Sequence, residues 1–135
     1  MHMEFFEDND DVVCFWRPGE HYEGWVGVMH GGILSTLLDE TACWVVFRKL
    51  QTSGVTSKLS VSYRKPVMAS DSQLTIRAHI KQQRQNLVFI EGFIENANGD
   101  VCVQADIVYY VYDEEKAREM GFERCEVEDE QLFSM

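Results

Sequence analysis

No run of about 18 apolar residues occurs in this sequence, which excludes a membrane-spanning helix. The start, Met1-His2-Met3-Glu4-Phe5-Phe6-Glu7-Asp8, lacks the basic residues and apolar centre of a secretion signal, so a cytoplasmic chain is expected. There is no Cys-x-x-Cys pair: Cys14, Cys43, Cys102 and Cys125 lie far apart, which argues against a zinc knuckle and suits reduced thiols. No Gly-x-Ser-x-Gly is present, so serine nucleophile chemistry has little support. His21, His30 and Asp39 lack a metal-ligand spacing, and neither a metal nor a cofactor is expected. Basic residues are scarce, 12 against 23 acidic, and the net charge of −11 argues against general nucleic-acid binding because a polyphosphate would be repelled. Internal repeats, low-complexity tracts and linkers are absent as well.

What is there fits one globular domain spanning 1–135: 135 residues, 45% apolar, with eight Phe. The charge is unevenly spread. Residues 41–90 hold eight of the twelve basic side chains (Arg48, Lys49, Lys58, Arg64, Lys65, Arg77, Lys81, Arg84) and a single acid, Asp71. Solvated strand faces paired across strands to the acidic flanks would account for this, as would a local site for a small polyanion.

The stretch His30-Gly31-Gly32-Ile33-Leu34-Ser35-Thr36-Leu37-Leu38-Asp39-Glu40 organises the rest. Two glycines open a segment free of Gly and Pro from Ile33 to Ser53, which predicts a helix of about five turns. Leu34, Leu38, Thr41, Ala42 and Val45 share one side, and Leu37, Trp44 and Phe47 extend the apolar surface around most of the circumference, so the helix is expected to be buried. Asp39 is the exception, forming a narrow polar strip with Thr36 and Cys43 at i−3 and i+4. A carboxylate set into such a helix costs free energy unless something requires it.

Around this helix, Met1 to Asp11 reads as a frayed or weakly helical lead-in, and Val12 to Trp16 as a short strand ended by Pro18-Gly19. Glu20 to Met29, with His21, Tyr22 and Trp25, reads as a loop. Lys58 to Arg64 alternates polar and apolar residues, one face wet and one dry, until Pro66. Leu74 to Lys81 alternates again, Gln82 to Asn86 turns, and Leu87 to Glu95 follows with Gly92 as a bulge or bend. Asn96 to Gly99 is a hairpin turn whose Asn-Gly pair supplies positive φ angles, and Val101 to Tyr112 is the last long strand. A short helix over 113–121 and an acidic tail over 122–135 complete the chain. A buried helix beside a sheet that is dry on one side must lie on that sheet. The class is α+β: an antiparallel sheet wrapped around one long central helix, the hotdog architecture, with a core over about 12–112.

The run Glu23-Gly24-Trp25-Val26-Gly27-Val28-Met29-His30-Gly31-Gly32-Ile33, followed by Leu37-Leu38-Asp39-Glu40, resembles the hotdog-fold acyl-CoA thioesterases of the phenylacetate-degradation type, with their His-Gly-Gly, six residues, then an acid. Gly54-Val55-Thr56 and Val61-x-Tyr63-x-x-Pro66 are similar to that family's second strand. The resemblance implies hydrolysis of acyl-CoA or acyl-carrier-protein thioesters. Asp39 would activate water or attack directly, and the Gly32 amide would polarise the carbonyl. Thr56, at a position where members often place a partner-subunit hydroxyl beside the acid, would hold the water. Substrate contacts are expected from His30, Gly31, Trp25, Thr36, Lys58 and Arg64. Many members carry Asn six residues before the His; that place is Gly24 here, and Trp25 is then expected to shape the acyl pocket.

Elementary chemistry agrees with these roles. A thioester carbonyl gains negative charge under attack, unpaired N–H groups in a helix's first turn are ready donors, and glycine leaves room for approach. A hydratase on the same fold would need an acid and a base around one carbon, yet His30 and Asp39 lie two turns apart at ~5.4 Å each. A non-catalytic acyl-CoA-binding protein would need the pocket but not Asp39. Exposed sheet edges in such a fold predict a homodimer or a dimer of dimers, with sites at the subunit interface.

Overall fold

The computed structural model describes residues 3–18, 23–25, 28–68, 73–112 and 133–134. Its strands are β1 (Glu4–Asp8), β2 (Asp11–Trp16), β3 (Glu23–Trp25), β4 (Val28–Met29), β5 (Gly54–Tyr63), β6 (Leu74–Arg84), β7 (Leu87–Glu95), β8 (Val101–Val111) and β9 (Phe133–Ser134). The helix α1 runs from Gly31 to Val45 and widens into a π-helical turn over Val46–Leu50. One antiparallel sheet takes the order β5-β8-β7-β6-β2-β1-β9, and β3 with β4 forms a separate ribbon. This is a hotdog fold. The buried side of α1, Leu34, Leu37, Leu38, Thr41, Ala42 and Val45, packs chiefly on β6, β2 and β7. It meets Leu74, Ile76 and Ala78 of β6 and Ile90 and Ile94 of β7, all essentially inaccessible to solvent. The face of β8 read from its alternation is the inner one: Val103, Ala105, Ile107, Tyr109 and Val111 are buried.

Several local expectations change. The lead-in is a strand: Phe5 pairs with Cys14 and Phe6 with Val13. Phe5 is fully buried, with its ring centroid 5.5 Å from that of Trp44. The acidic start that looked weakly ordered is a hairpin arm held by burial and by Glu7, which pairs with Arg48 and Lys49 at the end of the helix. The helix stops at Leu50 rather than near Ser53, because Gln51 takes a left-handed conformation at φ 52°. Gly54 begins β5, where a Cβ would sit 2.2 Å from the Tyr110 carbonyl oxygen. Gly92 is no bulge. It keeps unbroken register opposite Ala78 and Ala105, and its missing side chain admits Leu38, whose Cδ2 would lie 3.0 Å from a Cβ. In the 96–99 turn only Gly99 has positive φ, at 86°; Asn96 organises the turn by accepting from the Asn98 and Asp100 amides through Oδ1, each at 3.0 Å. The helix expected over 113–121 lies outside the described residues, as does the tail apart from β9, which pairs with β1.

The largest departure is β5. Its alternation predicted a dry face, yet the strand is open on both sides, with Val55 47%, Leu59 37% and Tyr63 52% exposed. Among the described strands β5 has one neighbour, β8, and α1 lies mainly over the other strands, so the inner face of β5 stays largely uncovered and borders an open groove beside the polar strip of α1.

Candidate active site

His30 precedes α1 with extended backbone (φ −65°, ψ 130°), and its Nδ1 accepts the Gly32 N–H at 2.9 Å. This is N-capping by an imidazole, so His30, expected as a substrate contact, serves in the chain as a helix cap. It also explains glycine at 32: a Cβ there would come within 3.0 Å of the ring. The amide expected to polarise a carbonyl therefore already has an intramolecular acceptor. Gly31, beside it, has no acceptor for its N–H among the described residues.

One turn on, the Thr36 hydroxyl donates back to the Gly32 carbonyl at 2.9 Å and does not cap Asp39. Asp39 lies on the same strip, partly exposed, and its Oδ1 accepts from the Thr56 hydroxyl at 2.7 Å. The resemblance implied a hydroxyl from a partner subunit; the structure supplies it from the same chain, because the register of β5 on β8 sets Thr56 opposite Tyr109 on the sheet face toward the helix. A register irregularity between Thr56 and Lys58 then turns Lys58 opposite Val108, away from Asp39. Asp39 Oδ2 receives no hydrogen bond among the described residues, which leaves one carboxylate oxygen oriented and the other available to take a proton.

Beneath this pair Tyr109 is 4% exposed, and its phenol interacts with the side chains of Thr56 and Cys43. Burial pushes the Tyr109 phenol far above its ordinary range, and burial pushes the Cys43 thiol up to about 11. Both are neutral at physiological pH, so Cys43 on the polar strip is no thiolate nucleophile. Glu40, one residue on from Asp39, makes no ion pair among the described residues.

Sequence reasoning assigned no role to Tyr63 or Ser35. The Tyr63 hydroxyl donates to the Gly31 carbonyl at 2.9 Å and lies 2.6 Å from Ser35 Oγ. The signals were the place of Tyr63 on the supposedly dry face of β5 and in the Val61-x-Tyr63-x-x-Pro66 pattern, neither of which gives it a role. Tyr63 also lines a pocket of about 450 Å³ with Met29, Leu34, Arg64, Pro66 and Val67. Arg64 reaches that pocket as expected of a substrate contact, but its guanidinium is hydrogen-bonded to Gln104. Trp25 lies on β3 opposite Val28; the role expected of its ring falls outside the described residues.

Of the basic middle, Arg77 is spent on Asp8, Asp11 and Glu95, Lys81 on Glu91 and Asp106, and Lys65 on Asp100. Lys58 and Arg84 have no carboxylate partner among the described residues. Pairing thus accounts for Arg77 and Lys81 on β6 but not for Arg84 at its end, and among the described residues it leaves Lys58 as an expected substrate contact without a carboxylate partner.

A family model described as the thioesterase superfamily matches residues 26–103. An uncharacterized mitochondrial protein of Candida albicans is 32% identical over 90 residues, covering 66% of this chain and 40% of that protein. The acyl-coenzyme A thioesterase THEM4 of Rattus norvegicus is 25% identical over 108 residues, covering 78% and 45%. The chain therefore spans less than half the length of either relative. A hypothetical thioesterase of Streptococcus pneumoniae, solved with coenzyme A, superposes with a TM-score of 0.75 at 28% identity, covering 82% of this chain and 85% of that one. The same protein was also solved with alanine replacing an aspartate and, separately, replacing a threonine sixteen positions later.

Proposed function

Because the chain belongs to the thioesterase superfamily, we propose that it hydrolyses acyl-CoA or acyl-carrier-protein thioesters, with Asp39 as general base or nucleophile. The observation that carries this reading is the 2.7 Å contact between Thr56 and Asp39 on the exposed strip of α1. Water held between the Thr56 oxygen and Asp39 Oδ2 loses its proton to the carboxylate as it attacks the thioester carbon; in the nucleophilic variant Oδ2 attacks and water later cleaves the anhydride. The developing oxyanion is received by first-turn amides of α1, that of Gly31 directly or that of Gly32 once the His30 ring gives way, and the thiolate leaves and takes up the proton. The relatives named as thioesterases and the neighbour solved with coenzyme A support the substrate class. The aspartate and threonine replaced in that neighbour support attention to this pair, which here stands seventeen positions apart. The phenylacetate-degradation type remains our reading of the motif alone.

Within one chain these parts do not meet. Gly32 and Asp39 are separated by about 10 Å along the helix axis at ~1.5 Å per residue, whereas one reacting carbon must lie within ~3–3.5 Å of its nucleophile. The site is therefore proposed to form between two copies, Asp39 and Thr56 from one and the Gly31–Gly32 amides from the other. The open groove and β5, which has one neighbour among the described strands, supply the surface for a homodimer, and two such dimers pair into a tetramer by the same symmetry rules. A hydratase is disfavoured by His30, which is engaged at the helix start, two turns from Asp39.

Thiol release from short, long and aryl acyl-CoAs tests the reaction: turnover of at least one is expected, and none at micromolar enzyme would overturn the reading in favour of an acyl-CoA-binding protein. Sedimentation tests the assembly, since a stable monomer at micromolar concentration removes the shared site. A cytoplasmic location is proposed on the free thiols at Cys14, Cys43 and Cys102; recovery of the tagged chain with mitochondria would overturn it.

A further inference from the structure

The pocket beside the helix start differs from the catalytic strip in chemistry. Met29, Leu34 and Val67 on its walls are 4%, 3% and 1% exposed, and Pro66 adds another apolar surface. The two basic residues at its edge are engaged outside it, Arg64 on Gln104 and Lys65 on Asp100 at 3.8 Å. Such a space suits an uncharged tail better than a phosphate.

Tyr63 stands where this pocket meets the strip. On the helical wheel Leu34 points to the pocket side, while Ser35, Thr36 and Asp39 face the groove, and Gly31 lies between them. Tyr63 covers that boundary. A Cβ at Gly31 would be 3.3 Å from its Cζ, its hydroxyl donates to the Gly31 carbonyl, and it accepts from Ser35. The ring of a half-exposed edge-strand residue is thus pinned at one position by two hydrogen bonds, against the turn that carries the amide donors.

Resting on the thioesterase reading above, we propose that Tyr63 is a specificity-determining residue: its tethered ring sets the width of the passage from the Gly31–Gly32 amides into the pocket of Met29, Leu34, Pro66 and Val67, and so limits which acyl tails are accepted. A tail whose carbonyl rests at the amides must pass this ring. Narrow tails pass, and bulky ones meet a wall that cannot swing without losing both hydrogen bonds.

The test compares wild type, Tyr63→Phe and Tyr63→Ala on acetyl-, hexanoyl-, phenylacetyl- and palmitoyl-CoA, reading the ratio of kcat/KM for the bulkier tails to that for acetyl. In Tyr63→Ala this ratio should rise by at least about tenfold, the discrimination one methylene commands in a fitted pocket. Tyr63→Phe, which keeps the ring and frees it, should move the ratio the same way by less. A merely structural tyrosine would lower all substrates together, so unchanged ratios in both variants overturn the proposal. If Tyr63→Ala does not melt cooperatively, Tyr63→Leu takes its place. Should wild type hydrolyse no substrate, the thioesterase reading fails, and the passage is read by cis-parinaric acid binding: tighter binding to Tyr63→Ala than to wild type supports the gate, and equal affinity overturns it.

Discussion

β5 and β6 come from the same basic middle of the chain and meet opposite fates. β6 lies between β2 and β7; its inward residues Leu74, Ile76 and Ala78 are buried, and its outward Arg77 and His79 sit in a ladder of carboxylates. Arg77 lies 2.9 Å from Asp8, and His79 stands 3.2 Å from Asp11 and 3.4 Å from Glu91. Among the described residues β5 has one neighbouring strand, leaves Val55, Leu59 and Tyr63 exposed, and carries Lys58 unmatched by any carboxylate. The charged groups from Arg77 to Lys81 on β6 are satisfied within the chain. Those along the seam of α1 and β5 are arranged but incompletely engaged, as a surface that receives a substrate and a second copy should be. Function is to be sought where satisfaction is partial, and stability where it is complete.

The sharpest way to break this comparison is at Asp39. Asp39→Asn keeps size and the contact to Thr56 but removes the base, so kcat should fall by about 10²–10⁴ with KM changed little. Glu40→Gln, one residue on and without an ion pair among the described residues, should stay within a few-fold of wild type. Retained turnover in the first, or equal loss in the second, would mean that the seam carries a different carboxylate.

The charges of the two strands can be separated next. Lys58→Ala should raise KM for an acyl-CoA by roughly three- to fivefold at low ionic strength, and by less where the screening length has shrunk to ~8 Å. Arg77→Ala should leave KM within about twofold while lowering stability by about 1 kcal/mol, a partly exposed network being worth little more. A KM that rises equally in both variants, or is insensitive to salt, would end the distinction.

The smallest effect belongs to the hairpin arm. Burial alone would raise the Glu7 carboxyl, but the Arg48 hydrogen bond and the Lys49 and Arg48 charges outweigh it and hold the group below its ordinary value of 4.5. A lowered folded value means the stabilisation is present above pH 4.5 and is lost as pH falls through the folded pKa. Glu7→Gln should thus cost up to about 1 kcal/mol in urea unfolding at pH 7, with the gap to wild type narrowing on acidification. A gap that persisted unchanged at pH 3 would assign the loss to packing.

Legibility followed the range of the interactions. The long strands β7 and β8 and the start of α1 were readable because alternation and the Gly31-Gly32 opening are properties of adjacent residues. β1 was missed because its Phe5 and Phe6 acquire meaning only against Cys14, Val13 and Trp44. Gly92 was misjudged for the same reason: a glycine in a strand looks alike whether it kinks the chain or admits a helix side chain, and only Leu38 distinguishes the two. Tyr63 stands in a family-like pattern and on an alternating face, but neither gives it a role, since nothing local says that a strand will lie at a sheet edge beside an open groove.

By itself the sequence determined the helix with its apolar girdle, the polar strip holding Asp39, the alternating strands and the acidic balance, since each is set by composition or by spacing along one element. The tertiary structure alone decided that Thr56 of the same chain reaches Asp39, that His30 occupies the Gly32 amide, that Tyr63 bridges to Gly31 and Ser35, and that Arg77 is consumed by Asp8, Asp11 and Glu95. Most of these contacts join residues distant along the chain, and a hydrogen bond forms or fails over a few tenths of an ångström; strand register and the seat of the helix on the sheet set those distances, and no local pattern encodes them.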